Sequence, residues 1–92
     1  MYKIVTTHKF EKDVQKCIKR GWDMSLLQKA MKTLSEKGEL PPEYGTHKLF
    51  GKYSGHWECH IKADWVMIWK KHNNIVAMVF TDTGSHSDVF GK

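Results

Sequence analysis

In an extended strand, the segment His56-Trp57-Glu58-Cys59-His60-Ile61-Lys62 separates its chemistry from its packing. Successive strand side chains point to opposite faces. Trp57, Cys59 and Ile61 then share one face, and His56, Glu58, His60 and Lys62 share the other. Asp64 follows two residues later, just before a second apolar run that opens at Trp65. One face packs, while the other presents two imidazoles, a carboxylate and an ammonium. Histidine, with an unperturbed pKa of about 6.5, is the side chain best matched to proton transfer at neutral pH. The cluster therefore suits proton transfer beside a site for an anion. The plainer alternative is a solvated strand edge with incidental polar residues, which fits one histidine better than five such residues between His56 and Asp64.

Two further histidines lie outside this segment. His47 precedes Lys48-Leu49 in an irregular stretch, and His86 sits in a short tail after Gly84. Either both reach the rim of the His60 face or both are idle loop residues. Phe90 has two compatible uses: it can anchor the tail in a groove, or offer a ring for stacking a nucleobase, typically worth about 1–3 kcal/mol. Lys70 and Lys71 either contact an RNA backbone or cap a hairpin. His56-x-Glu58-x-His60 is not the helical H-E-x-x-H motif of zinc proteases, and no paired cysteines suggest a structural zinc, so neither metal nor cofactor is expected. Glycine-rich phosphate loops and serine-centred nucleophile elbows are absent.

The elements that must position these residues are legible in the periodicity. Residues 2–7 (YKIVTT) are aromatic and β-branched, as in a strand. From His8 to Arg20, Phe10, Val14, Cys17 and Ile18 recur at helical spacing, and Gly21 terminates the helix. A second helix opens near Asp23 or Ser25, where Ser25-Leu26-Leu27-Gln28 has the form of a capping box. Leu27, Ala30, Met31 and Leu34 form its apolar stripe, and Gly38 ends it. Pro41 and Pro42 exclude helix from the following stretch, which has room for a short strand around His47–Phe50. Strands follow at about 55–62, 64–71 and 75–81, the last two joined by a tight hairpin at His72-Asn73-Asn74, where Asn tolerates positive φ. The tail makes one helical turn at most. The expected fold is α+β: an N-terminal strand, a two-helix hairpin covering one sheet face, then a three- to four-stranded, mainly antiparallel sheet.

Composition bounds the reading. Ninety-two residues suit a single domain spanning 1–92. The apolar runs are far shorter than the roughly 20 residues that cross a bilayer, and no signal-peptide pattern opens the chain, so a cytoplasmic protein without membrane association is expected. Cys17 and Cys59 match neither a redox nor a zinc spacing and read as small buried hydrophobes. The net charge of +5 favours an anionic partner, although a charge of that size also serves simple solubility.

Three motifs together resemble one known family: His47-Lys48-Leu49 before a glycine-containing turn, Glu58-Cys59-His60-Ile61-Lys62-Ala63-Asp64-Trp65, and Thr83-Gly84-Ser85-His86-Ser87-Asp88-Val89-Phe90. In this order, and in a chain of this length, they resemble the YafQ-like toxins of the RelE/ParE superfamily, the toxic halves of bacterial type II toxin–antitoxin modules. The resemblance implies a RelE-like fold and a ribosome-dependent mRNA endoribonuclease. It carries functional roles onto His47, Glu58, His60, Asp64, His86 and Phe90. It also implies an acidic, neutralising antitoxin that wraps the toxin and alone brings it to operator DNA. Trp57 and Asp82 depart from the family pattern, because relatives often carry basic residues there. Fewer fixed cations would weaken stabilisation of a phosphorane-like transition state.

RNA supplies its own nucleophile, the 2′-OH, so cleavage needs a base, an acid and donors for the phosphate rather than a metal. The expected roles are His60 as base, poised by Glu58 or Asp64, and His86 as acid, with the exchanged assignment left open. His47 and Lys62 would steady the phosphate, Lys62 and Lys70 would bind the RNA backbone, and Phe90 would stack on a base. Two rivals remain at this level: a non-enzymatic toxin of the same superfamily that inhibits a protein such as gyrase, and a plain RNA-binding domain.

Overall fold

A computed structural model describes residues 1–91, with the side chain of Asn73 excepted. The chain forms β1 (Lys3–Thr6), α1 (His8–Lys19), α2 (Met24–Lys37), β2 (His47–Lys48), β3 (Trp57–Lys62), β4 (Trp65–His72), β5 (Ala77–Ser85) and α3 (His86–Phe90). Single 3-10 turns occupy Pro42–Tyr44, Gly51–Tyr53 and Asn73–Ile75. Among the described residues, no helix is long and apolar enough to cross a membrane.

The five strands form one sheet in the order β1-β5-β4-β3-β2. Hairpin-connected neighbours pair antiparallel, as short connections require. β1 pairs with β5 in parallel, so the first strand docks beside the last and the sheet is mixed. The α1–α2 hairpin supplies the crossover that a parallel pair needs.

Both long helices are capped by their flanking residues. Thr7 caps α1 by accepting the Phe10 N–H, and its own N–H reaches the Phe80 carbonyl of β5. Asp23 caps α2 by accepting the Ser25 N–H, so the expected Ser25 capping box gives way to a carboxylate two residues earlier. An ionised cap gains from the positive end of the helix dipole, which favours Asp over Ser here. Gly38 closes α2 at φ +76°, a conformation costly for other residues, and a side chain there would crowd the ring of Tyr2.

The two sheet faces differ. On one, Cys59, Trp65, Met67, Trp69, Met78 and Phe80 meet Phe10, Cys17, Leu27, Ala30 and Leu34 of the helices. Cys17 and Cys59 are fully buried and not disulfide-bonded, and burial pushes their thiols up to about 11 and about 12. The Trp65 indole donates to Thr83 Oγ1 at 3.0 Å, whereas the buried Trp69 N–H has no partner among the described residues. On the other face, Val66 and Ile68 form a smaller cluster with Val89, flanked by Leu49, Tyr53 and Phe90. This face is only partly roofed, and Glu58 and His60 lie on it because they pair with Ile68 and Val66.

Three local expectations are corrected. β5 runs through Ser85 rather than ending near 81; its register shifts opposite Ile68/Trp69, and the bulge lets the strand continue into the tail. The β4–β5 connection is a 3-10 turn, and its positive φ falls on Val76 (+49°) rather than on an asparagine. A further bulge between His60 and Lys62 sets Lys62 opposite Trp65, on the helix side of the sheet. Strict alternation therefore ends at Ile61, which still packs on the helix side.

Candidate active site

Sequence neighbours on β3 and distant residues from β2, the β3–β4 turn and α3 converge on the open face. His47 pairs directly with Glu58 across β2 and β3. Its Nε2 lies 3.0 Å from Glu58 Oε1, and its Nδ1 lies 3.0 Å from the Gly45 carbonyl. Both ring nitrogens thus face acceptors. Glu58 is only 3% exposed, and a buried carboxylate is costly without such a partner. His47 in turn is held in one orientation.

His60 lies between the other two imidazoles. Its ring centroid is 6.4 Å from that of His47 and 5.5 Å from that of His86. A side chain at position 45 would stand 3.4 Å from His60 Nδ1, so Gly45 lets the backbone pass close beside the ring.

His86 is fixed from two directions. Ser85 caps α3 through a reciprocal capping box with Asp88, which sets His86 as the first helical residue. Asp64 then accepts both the His86 backbone N–H at 3.1 Å and the Nδ1–H at 2.5 Å. These bonds hold the Asp64 carboxyl below its usual value, the side-chain bond contributing most. With Nδ1 donating to Asp64, Nε2 is left for other chemistry, the same orienting logic that an aspartate applies to a triad histidine. Ala63, at φ +35°, makes the tight corner that brings Asp64 around.

Phe90 closes the arc. Its ring lies 6.1 Å from His86 and stands edge-on to Tyr53 at 5.7 Å. Tyr53 donates its hydroxyl to Asp82 at 3.2 Å, and Asp82 also takes the Lys9 ammonium at 3.2 Å. Asp82, which departs from the family pattern, is buried and turned with Asp13 toward the half-exposed Lys9 ammonium rather than toward the histidines. Trp57, the other departure, packs partly buried against the helix-side core, with the Lys48 ammonium 5.3 Å above its ring.

The fold therefore brings His47, Glu58, His60, Asp64, His86 and Phe90 together. It sets Lys62 on the helix side instead: this residue shares a pocket with Trp22, Asp23 and Leu26, which Asp64 also borders, and its charge helps lower the Asp23 carboxyl, after the larger effect of hydrogen bonds from Ser25. Lys70 lies on the open side of β4, four residues beyond Val66 and so roughly 13 Å along the strand. His56 donates Nδ1–H toward the Tyr53 and Ser54 carbonyls and serves the turn.

Sequence reasoning missed the support from Arg20. Its guanidinium makes a two-pronged bond to Asp88, at 2.5 and 2.9 Å, tying the end of α1 to the capping box beneath His86. The Ser85-x-x-Asp88 spacing was the available signal for the box, whereas nothing local points to Arg20. Glu58, His60 and His86 also form the one metal-ligating cluster found among the described residues, with one donor atom from each within 4.8 Å of the others. Such a nitrogen and oxygen set suits a transition-metal ion.

Comparison with known proteins converges with this geometry. Residues 2–91 match the family model described as a bacterial toxin of type II toxin–antitoxin system, YafQ. The mRNA interferase toxin YafQ of Escherichia coli (strain K12) is 34% identical over 83 residues, covering 89% of this chain and 88% of that protein. The fold superposes on the E. coli DinJ–YafQ toxin–antitoxin complex with a TM-score of 0.87, at 32% identity and 98% coverage of both chains. It also superposes on a metal-bound toxin from Helicobacter pylori, with a TM-score of 0.89 and 33% identity over 98% of this chain and all of that one. The chain belongs to the YafQ family of bacterial toxins of type II toxin–antitoxin systems.

Proposed function

We propose that this protein is a ribosome-dependent endoribonuclease that cuts mRNA by general acid–base catalysis, with the RNA 2′-OH as nucleophile. The observation that carries this reading is the 5.5 Å separation of the His60 and His86 rings, next to buried Glu58 and with the His86 tautomer set by Asp64. Two imidazoles so spaced can flank one phosphodiester. His60 takes the 2′-OH proton, the 2′-oxygen attacks phosphorus, and the 5′-oxygen leaves with a proton from His86, giving a 2′,3′-cyclic phosphate and a 5′-OH. The two roles can be exchanged without changing the products. His47 steadies the phosphate oxygens by exchanging one of its bonds, to Glu58 or to the Gly45 carbonyl, for one to the phosphate, where donors act most strongly on developing charge. Phe90 stacks on a base beside the cut.

An acidic antitoxin is the partner that fits the net charge of +5 and the likeness to a toxin–antitoxin complex, and operator DNA is reached only through it. Cleavage of mRNA in a translating extract tests the reading. General acid–base groups contribute about 10²–10⁴-fold each, so His60→Ala and His86→Ala abolish detectable cleavage while remaining folded. Undiminished cleavage by either folded variant removes that residue from the mechanism. A gyrase inhibitor would leave mRNA intact and block supercoiling, and a plain RNA-binding domain would do neither.

A second reading is favoured by the Glu58–His60–His86 donor set and the likeness to a metal-bound toxin. A transition-metal ion held there occupies the lone pairs that proton transfer needs, so it acts as an inhibitor. Zinc added to the extract should suppress cleavage and chelator should restore it; cleavage stimulated by zinc would contradict this role.

A further inference from the structure

Phe50 is 84% exposed, an unusual place for a large apolar ring, and it stands on the loop between β2 and the Gly51–Tyr53 turn. It forms a ridge between two grooves. One, of about 450 Å³, runs from Phe50 and Lys52 past Tyr53 to Phe90. The other, of about 400 Å³, runs from Phe50 over the sheet edge along Lys48 to Trp57 and Lys71 on the helix side. Asp88 also lines the first groove, but its charge is already matched by Arg20. The cations over the rest of this path are therefore unopposed by any acidic residue lining the grooves.

We propose that Phe50 is a second base-stacking residue beside Phe90 for a single-stranded RNA that passes the His60–His86 pair on the open face and turns over the sheet edge at Phe50, with Lys52 holding its phosphates before the edge and Lys48 and Lys71 beyond it. A positive groove interrupted by exposed rings is the surface that binds single strands without reading sequence: cations follow the backbone and each ring takes the flat face of a base. The occupant is RNA rather than an apolar peptide, because the ring is flanked by ammonium groups and the grooves continue from the residue placed against the scissile nucleotide. The inference rests on the nuclease reading above, and deepens it by naming where the neighbouring nucleotides lie.

The test measures binding of a labelled 2′-O-methyl RNA of about ten nucleotides, whose blocked nucleophile prevents cutting, beside the same strand with abasic positions. Wild type binds the base-bearing strand more tightly. Phe50→Ala, which removes no core contact, loses that advantage, with affinity falling by roughly five- to 150-fold. Phe50→Trp keeps it, and Phe50→Leu behaves like Phe50→Ala. Lys48→Gln and Lys71→Gln each reduce the slope of log affinity against log salt by about 0.7. Equal affinity of wild type and Phe50→Ala, or equal affinity of wild type for both strands, overturns the proposal. So does a Phe50→Ala variant that loses antitoxin affinity alone, which would place the ring in a protein interface. Wild-type cleavage in a translating extract is measured in parallel. Cleavage with Phe50-independent binding removes this inference and leaves the nuclease reading, whereas Phe50-dependent binding without cleavage does the reverse.

Discussion

His86 shows how much a single side chain depends on its second partner. Asp64 bonds both its backbone and its ring, so the carboxylate fixes where the imidazole points and which nitrogen is free. Asp64→Asn keeps the shape but replaces an acceptor-only group with an amide that stabilises imidazolium poorly. Its cleavage rate in a translating extract should fall by on the order of 10² or more. Its melting temperature should hardly change, because the Asp64 side chain is 65% exposed. A rate equal to wild type would show that His86 needs no orienting partner. At this scale the alternation of Glu58 and His60 was readable from sequence, since the period of two survives as far as Ile61. Lys62 was not, because a one-residue bulge reverses facing and leaves no signature in Ile61-Lys62-Ala63.

At the scale of the element, α3 is five residues long and too short to persist alone, so its position comes from its caps and ties. The Arg20 guanidinium beside Asp88 is the main reason that this carboxyl sits far below the ordinary carboxylate range, with the Ser85 N–H adding to the effect. A depressed folded-state value means that the contribution is present above the unfolded-state value near 3.8 and is lost as the pH falls further. Wild type should therefore lose melting temperature below about pH 4, and Asp88→Asn, less stable at pH 7, should show a flatter acid limb. Parallel acid limbs would mean that the pair adds nothing to folding. Val76 offers the opposite case, a β-branched residue at φ +49° and half exposed. Strain of about 1–3 kcal/mol is relieved by Val76→Gly, against an entropic cost of roughly 0.5–1 kcal/mol. The net gain of about 1 kcal/mol should raise the melting temperature by roughly 4–8 °C. A lower melting temperature would show that the Val76 side chain packs more than its exposure implies. Sequence placed a turn here from Asn73-Asn74, because asparagine tolerates positive φ, yet the strained residue comes two positions later.

Across the whole molecule, the helices and the three consecutive strands were legible, because their apolar spacing and short connections leave few alternatives. The parallel β1–β5 pair was not, because nothing in Lys3–Thr6 specifies a partner more than 70 residues away; the α1–α2 crossover decides it. That pairing matters to the site. It fixes β5 against α1, where Asp13 accepts the Thr83 N–H beyond the end of β1, and β5 leads directly into His86. A positive surface, a half-roofed sheet face and three converging imidazoles thus come from one topology. The proposed chemistry leaves a distinct mark on its products. End-group analysis of mRNA fragments made by the wild-type protein in a translating extract reads that mark directly. Attack by the 2′-OH predicts 2′,3′-cyclic phosphate and 5′-hydroxyl ends, both lost in His60→Ala and His86→Ala. Fragments carrying 5′-phosphate and 3′-hydroxyl ends would require water as the nucleophile and would contradict the account.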